Sequence, residues 1–136
     1  MGAIDNTQGT TILKAMLAVA ALATPYEATS PMRIALGSTS PNATTNMTQL
    51  TNGNGYTTYG QTIAWNTVSN MATTNSGAIT WTCGASGGWS IVGAELWDSA
   101  STALRWFYGV WNGQPISIAQ NNSFQLASGG ASVSLS

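Results

Sequence analysis

From residue 26 onward the chain alternates short runs of β-branched and aromatic residues with clusters of Gly, Asn, Ser and Thr. That punctuation constrains the fold more than any other feature. Runs of four to eight such residues between turn formers read as strands, and many of them in series point to an antiparallel β domain. The runs fall at 32–36, 56–65, 77–83, 89–97, 103–111, 114–119, 123–126 and 131–135. Strands this short and this regularly spaced predict a mainly β chain, an antiparallel β-sandwich or jelly-roll-like domain. Its 136 residues suit one domain. Residues 31–136 form the sandwich, with a long polar loop at about 38–55.

The texture before Pro25 is different. Residues 12–24, ILKAMLAVAALAT, place Ile12, Leu13, Met16, Leu17 and Ala20 at helical spacing, so they predict one short N-terminal α-helix. Thr10 or Thr11 is the expected cap, and Pro25 ends the helix. The run resembles a signal-peptide core, but Asp5 stands where a basic region belongs and Lys14 interrupts the apolar stretch. It is also too short to span a bilayer. Residues 1–11 are left as an arm free to reach a neighbouring molecule.

Charge is almost missing. The chain has three cations, four carboxylates and no histidine, so charged residues make up 5%, where soluble proteins average about a quarter. With Lys14, Arg33 and Arg105 as the only cations, nucleic-acid binding lacks its electrostatic term. No phosphate-binding glycine loop follows a plausible strand. No metal site is legible, because scattered carboxylates without His or paired Cys give no ligand spacing. Cys83 has no partner for a disulfide and no histidine to activate it, so it reads as a small buried apolar residue. Glu95 and Asp98 are the only close carboxylates, and they fall on a strand and its turn rather than across a cleft. No catalytic residue and no cofactor are expected, and the chain does not read as an enzyme.

The segment GGWSIVGAELWDSASTALRWFYGVW reads as a hairpin. With 98–102 as its loop, residues whose numbers sum to 200 face one another. Glu95 then lies opposite Arg105, a charge pair that would fix the register. Gly93 meets Phe107, Ile91 meets Gly109 and Trp89 meets Trp111 on that face; Leu96, Ala94 and Val92 meet Leu104, Trp106 and Tyr108 on the other. Both faces are apolar, although a sheet with one wet face should alternate. Either the helix or the 38–55 loop covers the second face, or another subunit does. Trp89, Ile91, Trp97, Phe107 and Trp111 are the candidate interface residues, since aromatics are enriched at interfaces and charges depleted. The face holding Glu95, Arg105 and Trp97 is expected to be the outer one, because an ion pair is easier to keep near water or at an interface than in a dry core.

The order of these segments resembles a family of small structural proteins of tailed bacteriophages, labelled head decoration, minor tail or tail fibre proteins. The matching stretches are DNTQGTTILKAMLAVAAL, MRIALGSTSP, NGNGYTTYGQTIAW, residues 75–81 and WSIVGAELWDSASTALRWFYGVW. The long Asn/Thr insertion and the very low charge depart from the pattern. The resemblance implies a jelly-roll-like domain that assembles as a homo-oligomer, commonly a trimer, on a virion. The expectation is a capsid decoration, or cement, protein that binds the phage major capsid protein on the capsid exterior, without nucleic acid or membrane as partner. The absence of a fibrous shaft favours head over tail. A minor tail or tail-tip protein is the alternative, and a carbohydrate-binding module with Trp and Tyr as sugar platforms is a more distant one.

Overall fold

The computed structural model describes residues 3–17 and 27–135. It is mainly β, with antiparallel sheets and one helix among the described residues. The elements are β1 (Ala3–Ile4), α1 (Asn6–Met16), β2 (Arg33–Gly37), β3 (Gln61–Thr62), β4 (Ala72–Thr74), β5 (Ile79–Thr82), β6 (Trp89–Ile91), β7 (Gly93–Trp97), β8 (Arg105–Val110), β9 (Ile116–Ile118), β10 (Ser123–Leu126) and β11 (Ser132–Ser134). Strands β1-β8-β7-β2-β3 form one antiparallel sheet of five. Three two-stranded ladders, β5 with β10, β4 with β11 and β6 with β9, surround the core. Ile34, Leu36, Trp81, Ile91 and Leu96 sit at its centre.

The helix starts earlier than its apolar spacing predicts. Asp5 caps it: Asp5 Oδ1 accepts the Thr7 N–H at 2.8 Å, and the Asp5 carbonyl accepts the Gly9 N–H at 2.9 Å. A carboxylate in this place satisfies donors that the first helical turn leaves open. Thr10 and Thr11 therefore lie inside the helix, and the expected span 12–24 is described only to Leu17; residues 18–24 lie outside the described residues. The expected arm is also corrected. Ala3 and Ile4 pair with Tyr108 and Phe107 of the chain's own sheet, and residues 6–11 are helical.

The hairpin is two units rather than one. Val92 breaks the expected strand 89–97: its N–H donates to the Gly37 carbonyl at 2.8 Å, and its carbonyl accepts the Trp111 N–H at 3.0 Å. On one side β6 pairs with β9, and on the other β7 pairs with β2 and β8. The break also changes which parity faces inward. Odd-numbered Trp89 and Ile91 belong to the main core, and so do even-numbered Ala94 and Leu96. A one-residue irregularity turns every following side chain over.

The run 56–65 contributes only the two residues of β3. Tyr56 is buried instead of alternating in a strand, its hydroxyl accepting the Leu36 N–H at 3.0 Å and donating to Gln49 Oε1 at 3.4 Å. The backbone then turns through Tyr59 and Gly60, both at positive φ. Gly60 lies against β2, where a Cβ would overlap the Ile34 carbonyl oxygen. Residues 72–74, expected as connection, form β4 with β11 as partner.

Two glycines separate backbone strain from steric overlap. Gly53 has φ +94° and nothing within 4 Å of where a Cβ would stand, whereas Gly60 at φ +71° has the β2 backbone there. Gly53→Ala should cost about 1–3 kcal/mol, the ordinary penalty for this backbone region. Gly60→Ala should cost more, because β2 must also move. Paired denaturant melts of the two variants check this; equal losses would contradict the packing of residue 60 on β2.

Candidate interaction surface

Arg105 stands at the start of β8, next to a bulge. The ladder pairs Gly93 with Val110, Glu95 with Tyr108 and Leu96 with Phe107, then shifts so that Trp97 meets Arg105. The expected register, with Glu95 directly opposite Arg105, is therefore replaced by a slipped one. The ion pair survives the slip along a diagonal: Arg105 Nη1 donates to Glu95 Oε1 at 2.9 Å.

This pair is inside the molecule. Arg105 is 5% exposed and Glu95 1%, so the face expected to be outermost is covered. The 38–55 loop and the N-terminal segment are what cover it. Arg105 Nε and Nη2 reach Asp5 Oδ2 at 2.9 and 2.6 Å, Nη1 also donates to the Thr45 carbonyl at 3.0 Å, and Nη2 to the Asn42 carbonyl at 2.9 Å. All five guanidinium donors are thereby used. Glu95 is fully engaged too, Oε1 taking the Met47 N–H at 2.7 Å and Oε2 the Trp97 Nε1–H at 3.1 Å. Burial pulls the Arg105 guanidinium down, but its bonds to Asp5 and Glu95 and their negative charges outweigh this and hold it above its ordinary value.

Asp98 organises the hairpin loop in the same inward manner. Its carboxylate accepts N–H bonds from Leu104 at 2.8 Å, Ala100 and Trp106 Nε1 at 3.3 Å each, and Thr29 at 3.4 Å. Its carbonyl accepts from Arg33 Nη2 at 3.2 Å, and the Arg33 guanidinium lies over the Tyr59 ring. Five of the seven charges thus serve the chain's own structure. Lys14 and Glu27 remain exposed.

The candidate interface residues separate into two groups. Trp89, Ile91 and Trp97 are buried in the chain's own cores, so as interface residues they are corrected: β9, the main core and the Tyr59–Met47 side pack against them. Phe107 and Trp111 are half-buried. Trp111 lines a cavity of about 170 Å³ together with Ile34, Ala94 and Gly130, and Phe107 lines both this and a larger apolar groove. The groove, about 470 Å³, runs between β8 and the 65–73 region, with Thr73 as its single polar residue among the described ones. Val68, Met71 and Leu135 stand exposed along it. Their signal in the sequence, isolated apolar residues in a Thr/Asn-rich stretch, is too sparse to mark a groove. Cys83 is fully buried, its thiol donating to the Gly87 carbonyl at 3.0 Å.

No three His, Cys, Asp or Glu side chains gather as a metal centre among the described residues, and no described helix is long and apolar enough to cross a membrane. Comparison with family models, curated proteins and solved structures finds no match for this chain.

The Asp98 cage carries a pH signature. Burial pushes its carboxyl up, but the Leu104, Trp106, Ala100 and Thr29 hydrogen bonds prevail and hold it below its ordinary 3.8. A depressed carboxylate stabilises the fold above its unfolded pKa and loses that contribution as pH falls through the folded value. Melting temperature should therefore drop on acidification below about pH 4, and the drop should be shallower in Asp98→Asn. Equal acid slopes for the two proteins would remove Asp98 from this role.

Proposed function

We propose that this chain is a structural subunit of a larger assembly, and specifically a decoration protein on the head of a tailed phage. The observation that carries the reading is the direction in which its charges point. Asp5, Arg33, Glu95, Asp98 and Arg105 hold the chain together from within, while Leu13, Met16, Leu17, Val68, Met71 and Leu135 stand exposed on a nearly uncharged surface. Apolar patches of this kind suit permanent contacts, since obligate interfaces resemble a domain core cut in half. The sequence resemblance supplies the context: a jelly-roll-like sandwich, a homo-oligomer, a trimer in the usual case, and the major capsid protein as the surface bridged. Binding then rests on apolar burial, at about 25 cal/mol per Å² less the cost of immobilisation, repeated over the shell.

Among the described residues no aromatic side chain is exposed. Sugar-stacking platforms require open rings, so this observation weighs against a carbohydrate-binding module. A tail or tail-tip position is the remaining structural alternative.

Purified protein should co-sediment with heads of the phage whose genome carries the chain, and density maps of those particles should place it at regular positions on the outer shell. Density confined to the tail tip, or a virion without the chain, would contradict the decoration reading.

A further inference from the structure

The exposed apolar residues of the helix form a stripe. Leu13, Met16 and Leu17 lie three and four positions apart, on one face of α1, and are 54%, 77% and 66% exposed. Asp5 and the buried Gln8 anchor the first turns, so the last turn stands away from the sheet with this stripe uncovered. The groove between β8 and the 65–73 region presents the complementary surface: Trp65, Val68, Met71, Trp106, Phe107 and Leu135 line it, and Thr73 alone is polar among its described residues. Stripe and groove are uncovered in the same chain, so neither is the other's cover.

Charge selects the occupant. The two charges not used inside the fold flank these two surfaces. Lys14 follows Leu13 on the exposed turn of the helix, and Glu27 precedes Ala28, a groove-lining residue. Both are exposed, and neither forms an ion pair among the described residues. A cation beside the apolar stripe and an anion one residue from the groove lining are complementary charges. We propose that the α1 stripe of one copy docks in the apolar groove of a second copy, with Lys14 of one facing Glu27 of the other. This is the helix-in-groove mode of recognition, anchored by residues at i, i+3 and i+4. The contact joins two different patches, so a pair of copies can make it reciprocally and a larger set can make it head to tail. The inference rests on reading the chain as an assembly subunit, and it names the surfaces that self-assembly uses.

Light scattering coupled to gel filtration tests it with the full chain. Wild type should run as a dimer or larger oligomer. Leu13→Ser/Met16→Ser, which changes only exposed side chains, should run as a folded 14.0 kDa monomer. Lys14→Glu and Glu27→Lys should each weaken association about two- to fivefold, as exposed ion pairs do, and the double exchange should restore it. A wild-type monomer would overturn the proposal, and so would a Leu13→Ser/Met16→Ser variant that assembles like wild type. Failure of the two readings is distinguishable: an oligomer that ignores phage heads contradicts the decoration role alone, and a monomer that coats them contradicts the self-docking and the homo-oligomer but leaves the decoration role standing.

Discussion

One guanidinium holds three parts of this molecule together. Arg105 sits on the sheet, Asp5 at the cap of α1, and Asn42 and Thr45 in the long loop, and the same group bonds all of them. Glu95 extends the set to Met47 and Trp97. A charge this deeply buried is tolerable only when every donor has an acceptor, because an uncompensated one costs several kcal/mol. Here the condition is met, and it has a structural consequence: loop and N-terminal segment must stay in place to meet it. The loop is rich in Asn and Thr and has few apolar side chains of its own, so this polar anchorage does what an apolar core does elsewhere. Pro41, Met47 and Leu50 are the buried exceptions.

That arrangement explains the charge poverty of the chain. Most of its ionisable groups work inward, either in the Arg105 set or around Asp98, so little charge is left to keep copies apart in water. A surface of hydroxyls, amides and apolar patches results. Such a surface is poorly suited to a dilute monomer and well suited to fixed contacts. The anchorage at Asp5 holds the first turn of α1, while Leu13, Met16 and Leu17 at its far end stand exposed.

Much of the strand order was legible in the sequence, because strands such as 79–82 and 123–126 lie between clear turn formers. That Glu95 and Arg105 meet was legible as well, but their register was not: they bond along a diagonal, and Trp97 stands opposite Arg105. Nor was their burial. It depends on Asp5, a hundred residues away, and on backbone carbonyls of Asn42 and Thr45, which carry no sequence signal. The break at Val92 was hidden for a similar reason: the stretch 91–94 is apolar at odd and even positions alike, and such a stretch does not reveal where its parity changes. Asp5 as a cap was overlooked because the apolar periodicity begins seven residues later, at Ile12. The helix is set by its cap, not by its stripe.

Amide hydrogen exchange in Arg105→Met tests most directly whether this one group fastens both segments. The Gly9 amide, bonded to the Asp5 carbonyl, and the Met47 amide, bonded to Glu95, report on the helix cap and the loop. Both should lose protection together, while the β5–β10 ladder, remote from the substitution, stays protected. Protection at Gly9 and Met47 unchanged from wild type, or lost at only one of them, would contradict a single shared anchor.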